Sequence, residues 1–212
     1  MRRSKPKIAV CRMCFLDIRD INLHHLLFES GAICQKCQDQ FRTIMLSFVI
    51  FGVKGLALYD YNEAMRSALY KFKGCGDIEL APAFLDYHRL FLKARYHGYT
   101  IIPAPSHASH DEERGFNHVK MIFSLLKLPI ADCLIKTSDV KQADLSFDER
   151  QNIRARLEWR IGQSIEGKKV LLVDDVITTG ATIKACLELI REHKPKMVRV
   201  LVMARTKGET LI

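Results

Sequence analysis

Residues 170–183, VLLVDDVITTGATI, contain two kinds of side chain that could bind opposite ends of one ligand. A run of apolar residues ends at Asp174 and Asp175, whose carboxylates can hold sugar hydroxyls or a hydrated Mg²⁺. A loop of hydroxyl groups and a glycine follows, and the amides at the start of the next helix complete a predicted phosphate cradle. The loop residues are Thr178, Thr179, Gly180, Ala181 and Thr182. The plainer alternative is a strand whose final acids cap a helix, but the whole order of strand, acid pair, loop and helix favours ligand binding.

Four of the seven cysteines form two CxxC pairs, and 19 residues separate the pairs. Four thiolates at this spacing can converge on a tetrahedral Zn²⁺, with the intervening chain returning the second pair to the first. The predicted ligands are Cys11, Cys14, Cys34 and Cys37. A redox pair and incidental thiols are the alternatives, and His24 or His25 could replace a thiolate. The remaining cysteines are predicted to be single buried thiols: Cys75, Cys133 and Cys186.

The composition favours a globular protein with a phosphate-bearing partner. The 212 residues are 48% hydrophobic, which suffices for a core of ordinary size and argues against a fibrous or disordered chain. The formal net charge is +9, and much of the excess lies in residues 1–40 and 184–207. Such a charge suits nucleic acid or nucleotides, although a generally basic protein explains the charge alone equally well.

The apolar segments of the sequence do not indicate a membrane span. Residues 44–53 form the longest uncharged apolar run, well short of the roughly 18 residues that a span needs. The first residues are basic, but no sustained apolar region follows them, so the sequence does not predict a secretory signal. We therefore expect a cytoplasmic location, in which thiols stay reduced.

Alternating strand and helix patterns follow the cysteine pairs. Two strands are predicted around the turn GVKG at residues 52–55, a helix begins at Tyr61, and a second helix covers 78–92. The later elements are a strand at 99–105, a helix at 114–126, a strand at 130–136, a polar loop at 137–160 that leads into a short helix or strand, a strand at 169–174, a helix at 182–193 and a strand at 197–204. The alternation predicts an α/β fold with a mostly parallel sheet covered on both faces. Ligands gather at the carboxyl ends of such strands, where the acid pair falls.

Residues 170–183 resemble the phosphoribosyl pyrophosphate signature of type I phosphoribosyltransferases. The other motifs narrow the resemblance to the ComF family of bacterial DNA-uptake proteins, whose order they follow over nearly the whole chain. These motifs are YNEAMRSALYKFKG (61–74), IIPAPSH (101–107), RGFN (114–117), QADLSFDERQN (142–152) and the paired cysteines. The resemblance implies a zinc-binding module over 1–42 and a phosphoribosyltransferase-like domain over 43–212.

The resemblance also implies roles for individual residues. Asp174 and Asp175 are expected to bind the ribose hydroxyls, directly or through Mg²⁺, and would be the catalytic residues if transfer occurs. The loop at 178–182 is expected to bind the 5′-phosphate, and Ser106 to begin a pyrophosphate loop. A flexible hood over the ligand is expected to carry Gln142, Arg150 and Asn152.

Two further cations are expected to contact phosphate by the same resemblance, and each has an alternative. Lys71 could instead be solvated or cap its helix, and Arg114 could instead form a salt bridge to Glu112 or Glu113. The sequence departs from the family at two places: the segment KFKGCGD looks two residues longer, and His118 stands where a glutamine is more common.

The resemblance leads to three hypotheses about function. The first is an accessory of natural transformation that handles incoming single-stranded DNA, with phosphoribosyl pyrophosphate or a similar phosphosugar as ligand and a DNA-uptake helicase as a further partner. The second is an active phosphoribosyltransferase with an unidentified acceptor. The third is a zinc-held interaction module on a vestigial ligand domain. Phosphoribosyl transfer needs no protein nucleophile, so the lack of a Ser-His-Asp pattern does not count against the second.

Overall fold

The structure is a computed structural model, and it describes residues 10–18, 32–106, 111, 114–136 and 157–206. In chain order the helices and strands are α1 (Gln35–Gln40), β1 (Thr43–Ile50), β2 (Val53–Asp60), α2 (Glu63–Gly74), α3 (Ala81–Leu85), α4 (Arg89–Arg95), β3 (Tyr99–Pro103), α5 (His118–Ser124), β4 (Leu134–Lys136), β5 (Leu157–Trp159), β6 (Lys169–Ile177), α6 (Ala181–Glu192) and β7 (Met197–Arg205). Short 3-10 helices over Ile78–Leu80 and Asp86–His88 flank α3.

A five-stranded sheet in the order β1-β2-β7-β6-β3 forms the centre of the molecule. Strands β2, β7, β6 and β3 are parallel, and β1 pairs with β2 in the antiparallel direction. Strands β4 and β5 form a separate antiparallel pair. The predicted α/β fold with a mostly parallel sheet is therefore confirmed.

Strand β6 contributes apolar side chains to both faces of the sheet. Leu171 and Val173 belong to a core cluster that includes residues of α2, α3 and α5, whereas Val170 and Leu172 belong to a second cluster under α6. All four residues are fully buried, which is the pattern of a parallel strand covered on both faces. We call these two sides of the sheet the α2 face and the α6 face.

Two sequence-based predictions of element boundaries differ from the structure. The hairpin turn consists of Phe51 and Gly52, so it begins one residue before the predicted GVKG segment and ends at its first residue. Both residues adopt the positive φ that a two-residue hairpin turn requires. The single helix predicted over 78–92 is wrong: it is broken into α3, α4 and two 3-10 helices. Pro82 has no N–H to donate and fits only in the first turn of a helix, so it lies in the first turn of α3, which begins at Ala81, and does not continue a longer helix.

The cysteine segment packs directly on the body of the fold. The ring of Phe41, which follows α1, is 2% exposed and contacts the rings of Tyr59 and Phe84 at centroid distances of 5.8 and 6.2 Å. Cys11 and Cys37 belong to the same core cluster. The division at residues 42 and 43 therefore remains a prediction about sequence organisation.

The single cysteines divide into two groups. Cys133 and Cys186 are buried as predicted, and burial raises the pKa of the Cys133 thiol to about 12. Cys75 is exposed, which corrects the prediction of a buried thiol. It follows the last residue of α2, where the helix ends at the surface. Among the described helices, none has the length and apolar character needed to cross a bilayer.

Candidate functional site

The candidate site begins with two adjacent buried carboxylates near the carboxyl end of β6. Asp174 and Asp175 are only 9% and 8% exposed. They lie within the strand and not after it, because β6 stays paired with β7 as far as Ile177 and Arg205. The backbone N–H of Asp175 donates to Asp174 Oδ1 over 2.9 Å, and the N–H of Val176 donates to Asp175 Oδ1 over 2.7 Å. The strand thus holds both carboxyl groups in fixed positions.

Asp175 is bound by two side chains from other elements. Lys73 Nζ, on the last turn of α2, lies 2.8 Å from Asp175 Oδ2, and His118 Nε2, at the start of α5, lies 3.2 Å from the same oxygen. Burial alone would raise the pKa of Asp175, but the hydrogen bond from His118 and the charge of Lys73 outweigh it and hold the pKa below its usual range. Asp175 is therefore the ionised member of the pair.

Asp174 experiences the opposite electrostatic environment. Burial, and then the negative charge of Asp175 beside it, raises the pKa of Asp174 well above its usual range. The two neighbouring carboxyl groups thus differ in how readily they take a proton. A ligand that brings hydroxyl donors or a cation to this edge would offset the cost of ionising both.

The loop after β6 presents donors to the solvent beside the acid pair. Thr178 and Thr179 are exposed, and Gly180 has φ of 77° and ψ of 8°, the left-handed conformation that glycine adopts without strain. Helix α6 begins at the next residue and runs for 12 residues, and its first-turn amides have no partner within the helix. Ala181 N lies 3.4 Å from Thr179 Oγ1. This arrangement of a glycine turn and a helix N-terminus suits a phosphate group.

A second polar cluster lies where β3 leads toward α5. Ser106 Oγ donates a hydrogen bond to Asp111, and Asn117 Nδ2 donates to Asp111 Oδ2 over 2.8 Å. The Asn117 side chain also caps α5 by accepting from the N–H of Lys120.

Arg114 lies 3.6 Å from Asp111 and 3.0 Å from His118 Nδ1. A series of side-chain contacts through Asp111, Arg114 and His118 therefore connects Ser106 to Asp175.

The structure distributes the remaining predicted residues unevenly. Lys71 is exposed on α2, and it is Lys73, two residues later, that reaches Asp175. Sequence reasoning missed Lys73 and assigned no role to His118, although the repeated lysines of KFK and the histidine after RGFN were visible signals. Several predicted residues lie outside the described part of the chain: Gln142, Arg150, Asn152, Glu112, Glu113, His24 and His25.

The four paired cysteines converge as the spacing predicted. Their Sγ atoms all lie within 4.8 Å of one another, and those of Cys14 and Cys34 are 3.8 Å apart. Tetrahedral zinc with bonds of about 2.3 Å to sulfur requires sulfur atoms about 3.8 Å apart, so the donor set fits Zn²⁺. Burial tends to raise the pKa of Cys11, but backbone N–H groups including that of Cys34 lower it to about 7. The cluster can therefore hold a metal ion.

Comparison with known proteins identifies first the class of domain. The protein-family model named phosphoribosyl transferase domain matches residues 113–211, a range that includes the acid pair, the threonine loop and α6. A solved hypoxanthine phosphoribosyltransferase from Staphylococcus aureus is 16% identical, with 64% of this chain and 68% of that chain covered and a TM-score of 0.40. The match of the family model shows that the chain contains a phosphoribosyltransferase domain.

The similarity to competence proteins is longer. Competence protein ComFC of Bacillus subtilis (strain 168) is 30% identical over 207 residues, which cover 96% of this chain and 82% of that protein. Competence protein ComFC of Streptococcus pneumoniae is 30% identical over 177 residues, covering 84% of this chain and 77% of that protein. The chain therefore belongs to the ComF family, among its ComFC-like competence proteins.

Proposed function

We propose that this protein binds phosphoribosyl pyrophosphate or a related phosphosugar at the carboxyl end of its sheet. The observation that supports the proposal most is the direct succession of the buried Asp174 and Asp175, the exposed Thr178 and Thr179 and the left-handed Gly180 before α6. In this proposal the carboxylates bind the ribose hydroxyls and the loop with the helix N-terminus binds the 5′-phosphate. Ser106, Lys71, Arg114 and Arg150 would contact the remaining phosphates.

A magnesium ion fits the same proposal. Mg²⁺ prefers oxygen ligands and is commonly held by one or two carboxylates together with substrate phosphates, and Asp174 and Asp175 offer such oxygens. When bound, the ion would neutralise charge on the pyrophosphate group. Lys73 and His118 hold Asp175 ionised, so that its carboxylate is ready for a hydroxyl or a cation.

We further propose that the protein acts in natural transformation by handling single-stranded DNA. Its relatives are competence proteins, and its formal charge of +9 suits a polyanion. The cysteine cluster, with zinc, would hold the N-terminal segment against the body of the fold. The phosphosugar would serve as effector or substrate, and a DNA-uptake helicase is the further partner that we propose.

Two titrations test this function. Calorimetry with phosphoribosyl pyrophosphate and Mg²⁺ should give saturable binding, and Asp175→Asn should weaken it. Fluorescence anisotropy with a labelled oligodeoxythymidylate should show binding that weakens steeply as salt rises, because binding releases counterions. No phosphosugar binding would reject the first half of the proposal, and no oligonucleotide binding at low salt would reject the second.

One contact favours phosphoribosyl transfer as a second candidate function. His118 and Asp175 form a hydrogen-bonded imidazole and carboxylate pair, which is a common arrangement for moving a proton during catalysis. A transferase would release pyrophosphate when an acceptor base or amine is supplied. The measurement is pyrophosphate release with a panel of nucleobases, and loss of the release in Asp174→Asn would support the transferase. Binding without release under every acceptor would favour an effector role.

A further inference from the structure

A wide groove lies at the amino end of the parallel strands, opposite the acid pair. Its volume is about 760 Å³. The parallel strands β2, β7 and β3 contribute Lys54, Arg199 and Tyr99 from near their first residues, whereas Asp174 and Asp175 lie near the carboxyl end of β6. The lining residues are Ser47, Phe48, Val49, Lys54, Gly55, Arg95, Tyr96, Tyr99 and Arg199. The groove is therefore separate from the proposed phosphosugar site.

The groove exposes a part of the sheet that helices leave uncovered. Side chains alternate along a strand, so Arg199 points to the same side as Leu201, and Lys54 to the same side as Leu56. Leu56 and Leu201 belong to the core cluster of the α2 face. The groove thus lies on that face, and Tyr96, just after the end of α4, lines it. Parallel sheets are usually covered on both faces, so this open part, with its charged side chains, is a candidate binding surface.

The lining of the groove is basic. Lys54 and Arg95 are exposed and Arg199 is half-buried, and none of the three forms an ion pair with an acidic residue within the described ranges. Lys169 Nζ lies 5.9 Å from the centre of the Tyr99 ring and adds a fourth positive charge. No described lining residue is acidic. Uncompensated cations around one concavity attract a ligand with several negative charges.

Aromatic side chains lie among these cations. Tyr99 is half-buried, its ring meets that of Tyr96 edge to face at 5.6 Å, and its hydroxyl lies 3.0 Å from Met197 Sδ. The Arg95 guanidinium lies 5.9 Å from the Tyr96 ring centre. The Tyr99 ring is thus held in place from several sides. Positive charge that follows a phosphate backbone, combined with a fixed aromatic ring for a base, is the usual construction of a single-strand binding site.

We propose that this groove binds a segment of single-stranded nucleic acid, with phosphates at Lys54, Arg95 and Arg199 and a base against Tyr99. The inference rests on the proposed binding of single-stranded DNA and assigns it a place in the fold. Because the groove and the acid pair lie at opposite ends of the strands, nucleic acid and phosphosugar can bind at the same time. A nucleoside monophosphate has the same chemistry but carries a single phosphate group, whereas the cations extend over strands β2 and β7 and the end of α4.

The test compares salt-dependent binding of oligodeoxythymidylate to matched variants of the full chain. The double variant Arg95→Gln and Arg199→Gln should bind roughly tenfold more weakly at low salt, and its slope of log affinity against log salt should be shallower by about 1.4, since two phosphate contacts are lost. Lys184→Gln is the control, because Lys184 is an exposed cation on α6, on the other face of the sheet. Ribose 5-phosphate affinity should stay unchanged in the double variant, which also shows that the variant is folded.

A second pair of variants tests the aromatic contact. Tyr99→Leu should weaken oligonucleotide binding roughly tenfold, whereas Tyr99→Phe should retain it, because stacking requires the ring and not the hydroxyl. Wild-type binding that neither the arginine pair nor Tyr99→Leu weakens would reject the groove while leaving the proposed function intact. Absence of wild-type binding would reject both. Competition by thymidine monophosphate at the same molar concentration as the oligonucleotide would identify a nucleotide pocket and contradict a strand site.

Discussion

His118 Nε2 lies 3.2 Å from Asp175 Oδ2, although the two residues are 57 positions apart in the chain. The contact joins the start of α5 to the strand that carries the acid pair, and Lys73 from α2 reaches the same oxygen. His118 Nδ1 in turn lies 3.0 Å from Arg114. His118, which stands where a glutamine is more common in the family, therefore orients the Asp175 carboxylate and lowers its pKa.

Replacing His118 should raise the pKa of Asp175. His118→Leu removes a hydrogen bond to a buried carboxylate. Lys73, which remains, is partly exposed, so less would oppose the rise in pKa that burial causes. The measurement is a carbon-13 NMR titration of the aspartate side chains. His97→Leu is the control, because His97 is exposed and lies after α4, outside the site. An Asp175 titration that is unchanged in His118→Leu would contradict the assignment.

Neutralising the two aspartates one at a time should change stability in opposite directions. The raised pKa of Asp174 means that its ionisation opposes folding as pH rises above about 4, the unfolded value. The lowered pKa of Asp175 means that its ionised form stabilises the fold above about pH 4, and this stabilisation is lost as pH falls through the folded value. We therefore expect Asp174→Asn to raise the free energy of unfolding at pH 7, and Asp175→Asn to lower it by about 2 kcal/mol.

Urea unfolding of both variants between pH 3 and pH 7 measures this difference. Both effects should shrink toward pH 3, because the unfolded chain then carries protonated aspartates. Equal destabilisation by the two substitutions at pH 7 would contradict the opposite environments of the pair.

Removing metal should loosen the cysteine segment before the sheet. Besides the four converging sulfur atoms, the segment is held by the ring contacts of Phe41 and by a surface salt bridge of 2.9 Å between Arg12 and Glu79. The wild type should contain one zinc per chain by mass spectrometry. After chelation, hydrogen exchange should accelerate first in residues 32–41, while β6 stays protected. A uniform loss of protection, or none, would contradict this order.

Gly180 should matter for the ligand as well as for the fold. Its φ of 77° makes Gly180→Ala costly by about 1–2 kcal/mol, and the change alters the turn that leads into α6. Gly167→Ala is a matched control, since Gly167 has φ of 69°, is exposed and has open space at its Cβ position. Both variants should lose stability in urea unfolding, because both glycines have a left-handed backbone, but only Gly180→Ala should bind ribose 5-phosphate more weakly. Equal affinities of the two variants would remove the loop from the site.

The fold was predictable from the sequence because its signals are local. Apolar runs bounded by turns define β6 and β7, and the spacing of apolar residues defines α2 and α6. The break near Pro82 was less visible, because the apolar pattern continues through it while the missing N–H prevents one helix. Cys75 is exposed because α2 ends at the protein surface, and the local pattern of apolar residues does not indicate this position.

The candidate site was predictable only along β6 and its loop. The segment from Asp174 to Thr182 is contiguous in the sequence. The order of its residues therefore already suggested that the acids and the loop bind different parts of one ligand. Lys73 and His118 come from different helices, and their approach to Asp175 depends on how α2 and α5 pack on the sheet. The groove near Arg199 was hidden for the same reason, since its cations come from separate elements.

We expect one ligand to place its sugar hydroxyls at the carboxylates and its phosphate at the threonine loop. Calorimetry with ribose 5-phosphate and with inorganic phosphate tests it most directly. Thr179→Val should weaken both ligands, because both contain the phosphate group, whereas Asp175→Asn should weaken ribose 5-phosphate and leave inorganic phosphate unchanged or tighter. Thr100→Val, near the amino end of β3 and thus at the end of the strands opposite the acid pair, should change neither. A ligand held by both groups requires this selective pattern, and equal weakening of both ligands by Asp175→Asn, or unchanged affinities in Thr179→Val, would contradict such a division.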